Sequence, residues 1–148
     1  MIGFGLGLAA ASGQTLRYPR LGGQIRVEGH LLPAVSTTGP LDPSWSPDGS
    51  RLALTADIDR NLDIALVSAE GGAIERLTKD PHVDIQPAWS ADGQSLFFVT
   101  GRGGSLDIYR LDLASGEKTP VVSGQRHDIQ PSVSPVWGCQ RAFSRMRI

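Results

Sequence analysis

The feature that most constrains the fold of this chain is a segment that is written twice at a fixed spacing. Residues 43–55 read Pro-Ser-Trp-Ser-Pro-Asp-Gly-Ser-Arg-Leu-Ala-Leu-Thr, and residues 87–99 read Pro-Ala-Trp-Ser-Ala-Asp-Gly-Gln-Ser-Leu-Phe-Phe-Val. A separation of 44 residues holds for Trp45 and Trp89, for Gly49 and Gly93, and for Asp63 and Asp107. A third copy opens at Pro131. A period in the forties is typical of one four-stranded propeller blade per repeat.

Each repeat carries a tight turn after its first strand. The turn reads Ser-Pro-Asp-Gly at residues 46–49 and Ser-Ala-Asp-Gly at residues 90–93. Aspartate (Asp48, Asp92) tolerates the second central position, and glycine (Gly49, Gly93) takes the positive φ that closes a three-residue hairpin. Three further strands are predicted in each repeat, at 51–55, 62–67 and 74–77 in the first and at 95–100, 106–111 and 118–122 in the second.

The strands are almost continuously apolar, as in Leu-Phe-Phe-Val at residues 96–99. Such runs favour sheets that are covered on both faces, as stacked blades are. Trp45 and Trp89 are therefore expected between neighbouring blades, where burying one such ring contributes about 2–3 kcal/mol.

The motif Pro-Ser-Trp-Ser-Pro-Asp-Gly-Ser-Arg-Leu-Ala, followed by Asn-Leu-Asp-Ile and Arg-Leu-Thr, resembles the WD40-like PD40 repeat. This repeat builds the C-terminal propeller of TolB proteins, which belong to the periplasmic Tol-Pal system, and it also occurs in propellers of prolyl-oligopeptidase-type serine peptidases. The resemblance implies an all-β fold, a partial (incomplete) beta-propeller of about two to three four-stranded antiparallel blades.

The expected organisation is a lead-in or partial preceding blade at 14–40, one blade at 41–80, a second at 81–124 and an incomplete third at 125–148. The third copy departs from the motif, because Val133 replaces tryptophan and Val136-Trp137 replaces Asp-Gly, although the strand pattern partly returns at residues 141–143. Closed propellers have about 4–8 blades. We expect a fragment of a longer propeller; the alternative is that several copies self-associate through exposed blade edges.

Composition limits the partners and the location of the chain. The formal net charge of −1 over 148 residues provides no field that attracts nucleic acid or an anionic membrane. The single cysteine, Cys139, excludes an internal disulfide. Residues 1–13 are apolar and small, which fits a signal peptide or a mis-started N-terminus, but the run is too short for a membrane span. Periplasmic or secreted is the expected location, with cytoplasmic as the alternative.

Two patterns of acidic residues are interpreted as structural. Oxygen-bearing side chains at alternate positions of 57–63 resemble a calcium loop, but Leu62 occupies the glycine position and Ser68 the position of the bidentate glutamate. Asp63 and Asp107 recur inside apolar strands, where a carboxylate needs hydrogen bonds, so each is expected to tie a strand to a loop.

A short polar segment recurs before the first strand of two repeats. His82, Asp84 and Gln86 lie before Pro87, and their counterparts lie before Pro131; the counterparts are His127, Asp128 and Gln130. The repeat should gather these side chains near one mouth of a central channel, where they are candidates for partner binding. Solvated connecting loops are the alternative, and the spacing matches no established metal-ligand set.

No catalytic residue or cofactor is predicted. The sequence contains no Gly-x-Ser-x-Gly elbow and no phosphate-binding glycine loop that opens a helix. The first functional hypothesis is a non-catalytic protein-interaction module of the bacterial envelope, with a Pal-like lipoprotein as the partner that the resemblance implies. The second is the propeller part of a prolyl-oligopeptidase-type peptidase whose catalytic domain is absent from this chain.

Overall fold

The computed structural model describes residues 42–71 and 73–134, together with four short strands outside these ranges. Those strands are Leu16–Arg17 (β1), Arg26–Val27 (β2), His30–Leu31 (β3) and Arg141–Met146 (β13). Strands β1, β2 and β3 pair in that order into a small antiparallel sheet. Residues 1–13, Cys139 and the side chains of 141–148 lie outside the described residues.

Each full copy of the repeat forms one four-stranded antiparallel sheet, as the sequence predicts. The first blade consists of Ser44–Trp45 (β4), Arg51–Ile58 (β5), Asn61–Ser68 (β6) and Glu75–Arg76 (β7), paired in chain order. The second blade consists of Asp84–Trp89 (β8), Ser95–Thr100 (β9), Asp107–Asp112 (β10) and Lys118–Val122 (β11), also paired in chain order. The third sheet pairs His127–Val133 (β12) with β13.

The turn after the first strand has the predicted geometry in both blades. Gly49 and Gly93 have φ values of 72° and 70°. Their N–H groups donate to the carbonyls of Ser46 and Ser90 at 2.9 and 3.0 Å. The hydroxyl of Ser46 donates to Asp48 Oδ1 at 2.6 Å, and Ser90 makes the same bond to Asp92 at 2.6 Å. The bond from Ser46, together with the bonds from the backbone and side chain of Ser50, holds the pKa of the Asp48 carboxyl down at about 2.

The two blades bury their facing sides against each other. Ala53, Ile64 and Leu66 of the first blade share one cluster with four residues of the second. Those four are Trp89, Leu96, Phe98 and Leu111. We call this cluster the interblade core. The next residues along the strands, such as Leu54 and Phe97, face the other side of each sheet and are buried there as well. Because both sides of each sheet are buried, the strand sequences have no polar face.

The two tryptophans occupy different sides of the first blade. Trp89 is buried in the interblade core, between the first and second blades. Trp45 packs against Leu52 and Leu54 on the side of the first blade that faces away from the second. The second blade packs in the same way against the third sheet, through Val99 and Ile129 among others.

No helix within the part of the chain that the structure describes is long and apolar enough to cross a membrane.

Candidate functional site

The first strands of the three sheets border one groove with a volume of about 650 Å³. We call it the inner-strand groove. It is lined by residues 42–45 and 47 of the first blade, 86–91 of the second and 130–133 of the third. The groove is therefore built from the same positions of three successive repeats.

One position of the repeat has an unusual backbone in all three copies. Asp42, Gln86 and Gln130 are spaced by 44 residues, each precedes a proline, and each has a positive φ, of 31°, 55° and 57°. A positive φ is uncommon for residues other than glycine and often marks a functional site. The pairing of β8 with β9 and of β12 with β13 shifts register just after Ile85 and Ile129. Strands β8 and β12 are thus bulged at this position, and Asp42, Gln86 and Gln130 all line the groove.

Hydrogen bonds from the backbone N–H of this position to side chains of the preceding blade join one sheet to the next. The N–H of Gln86 donates to Thr55 Oγ1 of the first blade at 3.1 Å. The N–H of Gln130 donates to Gln86 Oε1 of the second blade at 2.9 Å. The three sheets are therefore joined along the groove by polar contacts as well as by their apolar cores.

Two polar atoms beside the groove are buried without a hydrogen-bond partner among the described residues: Asp42 Oδ2 and Trp45 Nε1. Burial raises the pKa of the Asp42 carboxyl. The other indole is satisfied, because Trp89 Nε1 donates to the carbonyl of Ser44 at 2.9 Å. Groups such as Asp42 Oδ2 are costly unless a partner or a ligand satisfies them.

The structure brings two of the six sequence-predicted channel-mouth residues, Gln86 and Gln130, to the inner-strand groove. Asp84 is buried and lies outside the groove lining, with Oδ2 at 3.2 Å from Arg102 Nη2. Burial raises the pKa of Asp84, against the opposing effects of Thr100 and Arg102. Asp128 is likewise buried, and its backbone N–H donates to the Leu106 carbonyl at 2.7 Å.

The two predicted histidines hold connecting segments in place. His127 Nδ1 accepts the N–H of Leu106 at 2.9 Å, which assigns the proton of the neutral ring to Nε2. His82 Nδ1 lies 2.9 Å from Asp80 Oδ1 in the loop before β8. His127 lies one position later in its repeat than His82 does, and the two histidines accordingly make different contacts.

Asp63 and Asp107 connect the third strand of each blade to the segment that leads to the next blade. Asp63 Oδ1 accepts from Thr78 Oγ1 at 3.2 Å, and Oδ2 lies 2.6 Å from Arg76 Nη2 in an ion pair without the alignment of a hydrogen bond. Burial raises the pKa of Asp63, and Arg76 opposes that rise. Asp107 Oδ1 accepts from Ser105 Oγ at 2.9 Å and from the N–H of Gly124 at 3.3 Å.

The segment that resembles a calcium loop forms the hairpin between β5 and β6. Asp59 and Arg60 form its two-residue turn with φ values of 56° and 67°. Asp59 Oδ2 lies 3.3 Å from Arg76 Nη1 across the sheet. Among the described residues, no group of three or more His, Cys, Asp or Glu side chains is placed to hold a metal ion.

Sequence reasoning missed Asp42 and an ion cluster around Asp80. Asp80 Oδ2 lies 2.7 Å from Lys118 Nζ and 3.0 Å from Arg102 Nη2, so the loop before β8 is tied to the second blade. The period of 44 could have found Asp42, because it aligns with Gln86 and Gln130. The period does not point to Asp80, because the equivalent residue of the next repeat is Gly124.

The sequence profile of the TolB beta propeller domain (PD40) matches residues 34–144, which is most of the chain. The chain belongs to the TolB beta-propeller family. No curated protein sequence matches it.

Solved structures show the same fold. TolB from Acinetobacter baumannii superposes with a TM-score of 0.73 at 24% identity, covering 88% of this chain and 34% of that one. A putative TolB from Agrobacterium tumefaciens superposes with a TM-score of 0.64 at 23% identity, covering 76% of this chain and 41% of that one. The tricorn protease superposes with a TM-score of 0.51 at 18% identity, covering 71% of this chain and 11% of that one. The chain thus spans about a third of the length of the A. baumannii TolB.

Proposed function

We propose that this chain is a non-catalytic protein-interaction module of the bacterial cell envelope, which binds a partner protein along the inner-strand groove. The observation that carries the proposal is the groove itself, which three repeats build from equivalent positions. Residues with a positive φ recur there at Asp42, Gln86 and Gln130. Backbone strain that is repeated at one surface supports a binding role for that surface.

The side chains along the groove suit a protein surface as ligand. Pro43, Pro87 and Pro131 contribute rigid apolar contacts, while Gln86 and Gln130 contribute amide groups. An extended chain segment carries both kinds of complement, since its peptide groups donate and accept hydrogen bonds and its side chains pack on apolar residues. None of the described residues that line the groove is a histidine, so they include no serine–histidine pair.

Membership of the TolB beta-propeller family supports a periplasmic location and a Pal-like lipoprotein as the partner. The competing hypothesis is a propeller that gates a peptidase domain. The tricorn protease shares the fold, and a likeness of that degree does not distinguish the two functions.

The test is a titration of the purified chain with the peptidoglycan-associated lipoprotein of the same organism. Saturable binding that weakens at least about tenfold in Gln130→Lys supports the proposal, because that change places a bulky charge in the groove where an amide now lies. Gln125→Lys is the matched control, since Gln125 is exposed and lies outside the groove. Hydrolysis of peptide substrates by the chain, or binding that Gln130→Lys leaves unchanged, would contradict it.

A further inference from the structure

The hydrogen bonds that join the blades along the groove are made differently at the two junctions. Between the second and third sheets, the side-chain carbonyl of Gln86 accepts the N–H of Gln130. Between the first and second blades, the residue equivalent to Gln86 is Asp42, yet the N–H of Gln86 donates to Thr55 Oγ1. The counterpart of Thr55 in the second blade is Val99, which has no hydroxyl.

Thr55 therefore replaces Asp42 in the junction. Aspartate is one methylene shorter than glutamine, and the hydroxyl of buried Thr55 supplies the acceptor instead. This leaves the Asp42 carboxylate without a role in joining the blades. Its Oδ2 is buried and has no hydrogen-bond partner among the described residues, although the residue as a whole remains partly exposed to the groove.

Asp42 is also the charged residue of the groove. The other described residues that line it are proline, serine, tryptophan, glutamine, alanine and valine. A partly buried carboxylate without a partner is unfavourable unless it gains a cation or hydrogen-bond donors. The groove thus lacks a positive charge of its own at the point where one would be most favourable.

The equivalent positions of the second and third sheets add amide groups along the groove. Gln130 is exposed, and the bond at this residue uses only its backbone N–H, so its side-chain amide is available. Gln86 retains the two N–H donors of its amide, since only Oε1 is engaged. A carboxylate matches the planar, two-pronged set of donors of a guanidinium group better than it matches a single ammonium group.

We propose that Asp42 is a specificity-determining residue of the inner-strand groove, which binds an arginine side chain from an extended segment of the partner protein. The three positions Asp42, Gln86 and Gln130 then act together: Asp42 binds the cation, and the two amides bind peptide groups further along the same segment. This inference rests on the proposed function, because it assumes that a protein segment occupies the groove.

The test uses the isotope-labelled 148-residue chain and NMR titrations that follow the side-chain amide signals of Gln86 and Gln130. The probes are three capped glycine–serine pentapeptides with arginine, glutamine or glutamate at the centre. We expect the arginine peptide to bind about fivefold more tightly than the glutamine peptide, as one partly exposed ion pair allows. The glutamate peptide should bind most weakly.

Asp42→Asn is the decisive variant, because asparagine keeps the shape of the side chain and tolerates a positive φ. The preference for arginine should disappear in this variant and persist in Glu117→Gln, which removes the same charge from an exposed site outside the groove. A thermal melt of each variant establishes that the fold is retained.

The other outcomes separate this inference from the proposed function. Equal binding of the arginine and glutamine peptides overturns the role of Asp42 and leaves the groove as a docking surface. Equal loss in Asp42→Asn and Glu117→Gln overturns it as well, since the effect is then that of net charge. If no peptide shifts the signals, the inference fails, and the lipoprotein titration decides separately whether the groove binds a protein.

Discussion

At the scale of single residues, Asp80 is the centre of the ion cluster that ties the loop before β8 to the second blade. Burial raises the pKa of its carboxyl, but hydrogen bonds from Lys118 and His82 and the charge of Arg102 outweigh that effect. The pKa of Asp80 is consequently held well below its usual range. A carboxyl with a depressed pKa stabilises the folded state at pH values above its unfolded pKa of about 4, and this contribution is lost as the pH falls further.

We predict that Asp80→Asn lowers the free energy of unfolding by about 1–2 kcal/mol at pH 7, because charge-assisted bonds to two cations are lost. The difference from the unmodified chain should shrink as the pH falls from 4 towards 2. Urea unfolding at several pH values measures both effects. A difference that is the same at pH 7 and at pH 3 would show that the charge of Asp80 is not what stabilises the loop.

The second residue-scale prediction concerns two neighbouring glycines. A Cβ at Gly103 would collide with Asp107 Oδ2, whereas a Cβ at Gly101 would meet nothing within 4 Å. Gly103→Ala should destabilise the chain by about 1–3 kcal/mol, because Asp107 must move away from Ser105 and Gly124. Gly101→Ala is the matched control and should be neutral or stabilising by up to about 1 kcal/mol. Equal thermal stability of the two variants would contradict the packing described for Asp107.

At the scale of strands and turns, the repeat predicts most of what the structure contains. The predicted strands 95–100 and 118–122 coincide with β9 and β11. Strand β5 extends beyond its predicted end at Thr55, and β6 begins one residue before its predicted start at Leu62, because Asp59 and Arg60 adopt a positive φ in the short turn between them. The turn contains neither glycine nor proline, the residues that most strongly indicate a turn in a sequence.

The groove was only partly predictable for a related reason. Gln86 and Gln130 are visible as a repeated polar residue before proline, and both line the groove. The repeat does not reveal which neighbours turn inward, because a bulge at this position reverses the alternation of side chains along the strand. Asp84 and Asp128 are accordingly buried, although they lie only two residues earlier.

The bond between Thr55 and Gln86 yields an element-scale prediction. Thr55→Val keeps the size of the buried side chain and removes the acceptor of the Gln86 N–H. The loss should lower the free energy of unfolding by about 1–3 kcal/mol, since the amide is left without a partner. Thr119→Val, at an exposed position of β11, is the control and should change stability little. Amide hydrogen exchange at Gln86 should accelerate in Thr55→Val alone; unchanged exchange there would contradict the assigned bond.

At the scale of the whole molecule, the packing of one sheet against the next allows several short repeats to act as a single body. Each blade has two apolar faces, so it is stable only when neighbours cover both. The groove follows from the same arrangement, because stacking aligns the first strands of successive sheets. A groove that spans three repeats therefore depends on the interblade core.

A double-mutant cycle across the interblade core tests this packing most directly. Leu66 of the first blade and Phe98 of the second share that core, whereas Leu54 lies on the opposite side of the first blade. We predict that Leu66→Ala and Phe98→Leu are coupled by at least about 0.5 kcal/mol in urea unfolding, while Leu54→Ala and Phe98→Leu are additive. Additivity of both pairs, or equal coupling in both, would contradict blades that pack face to face as described.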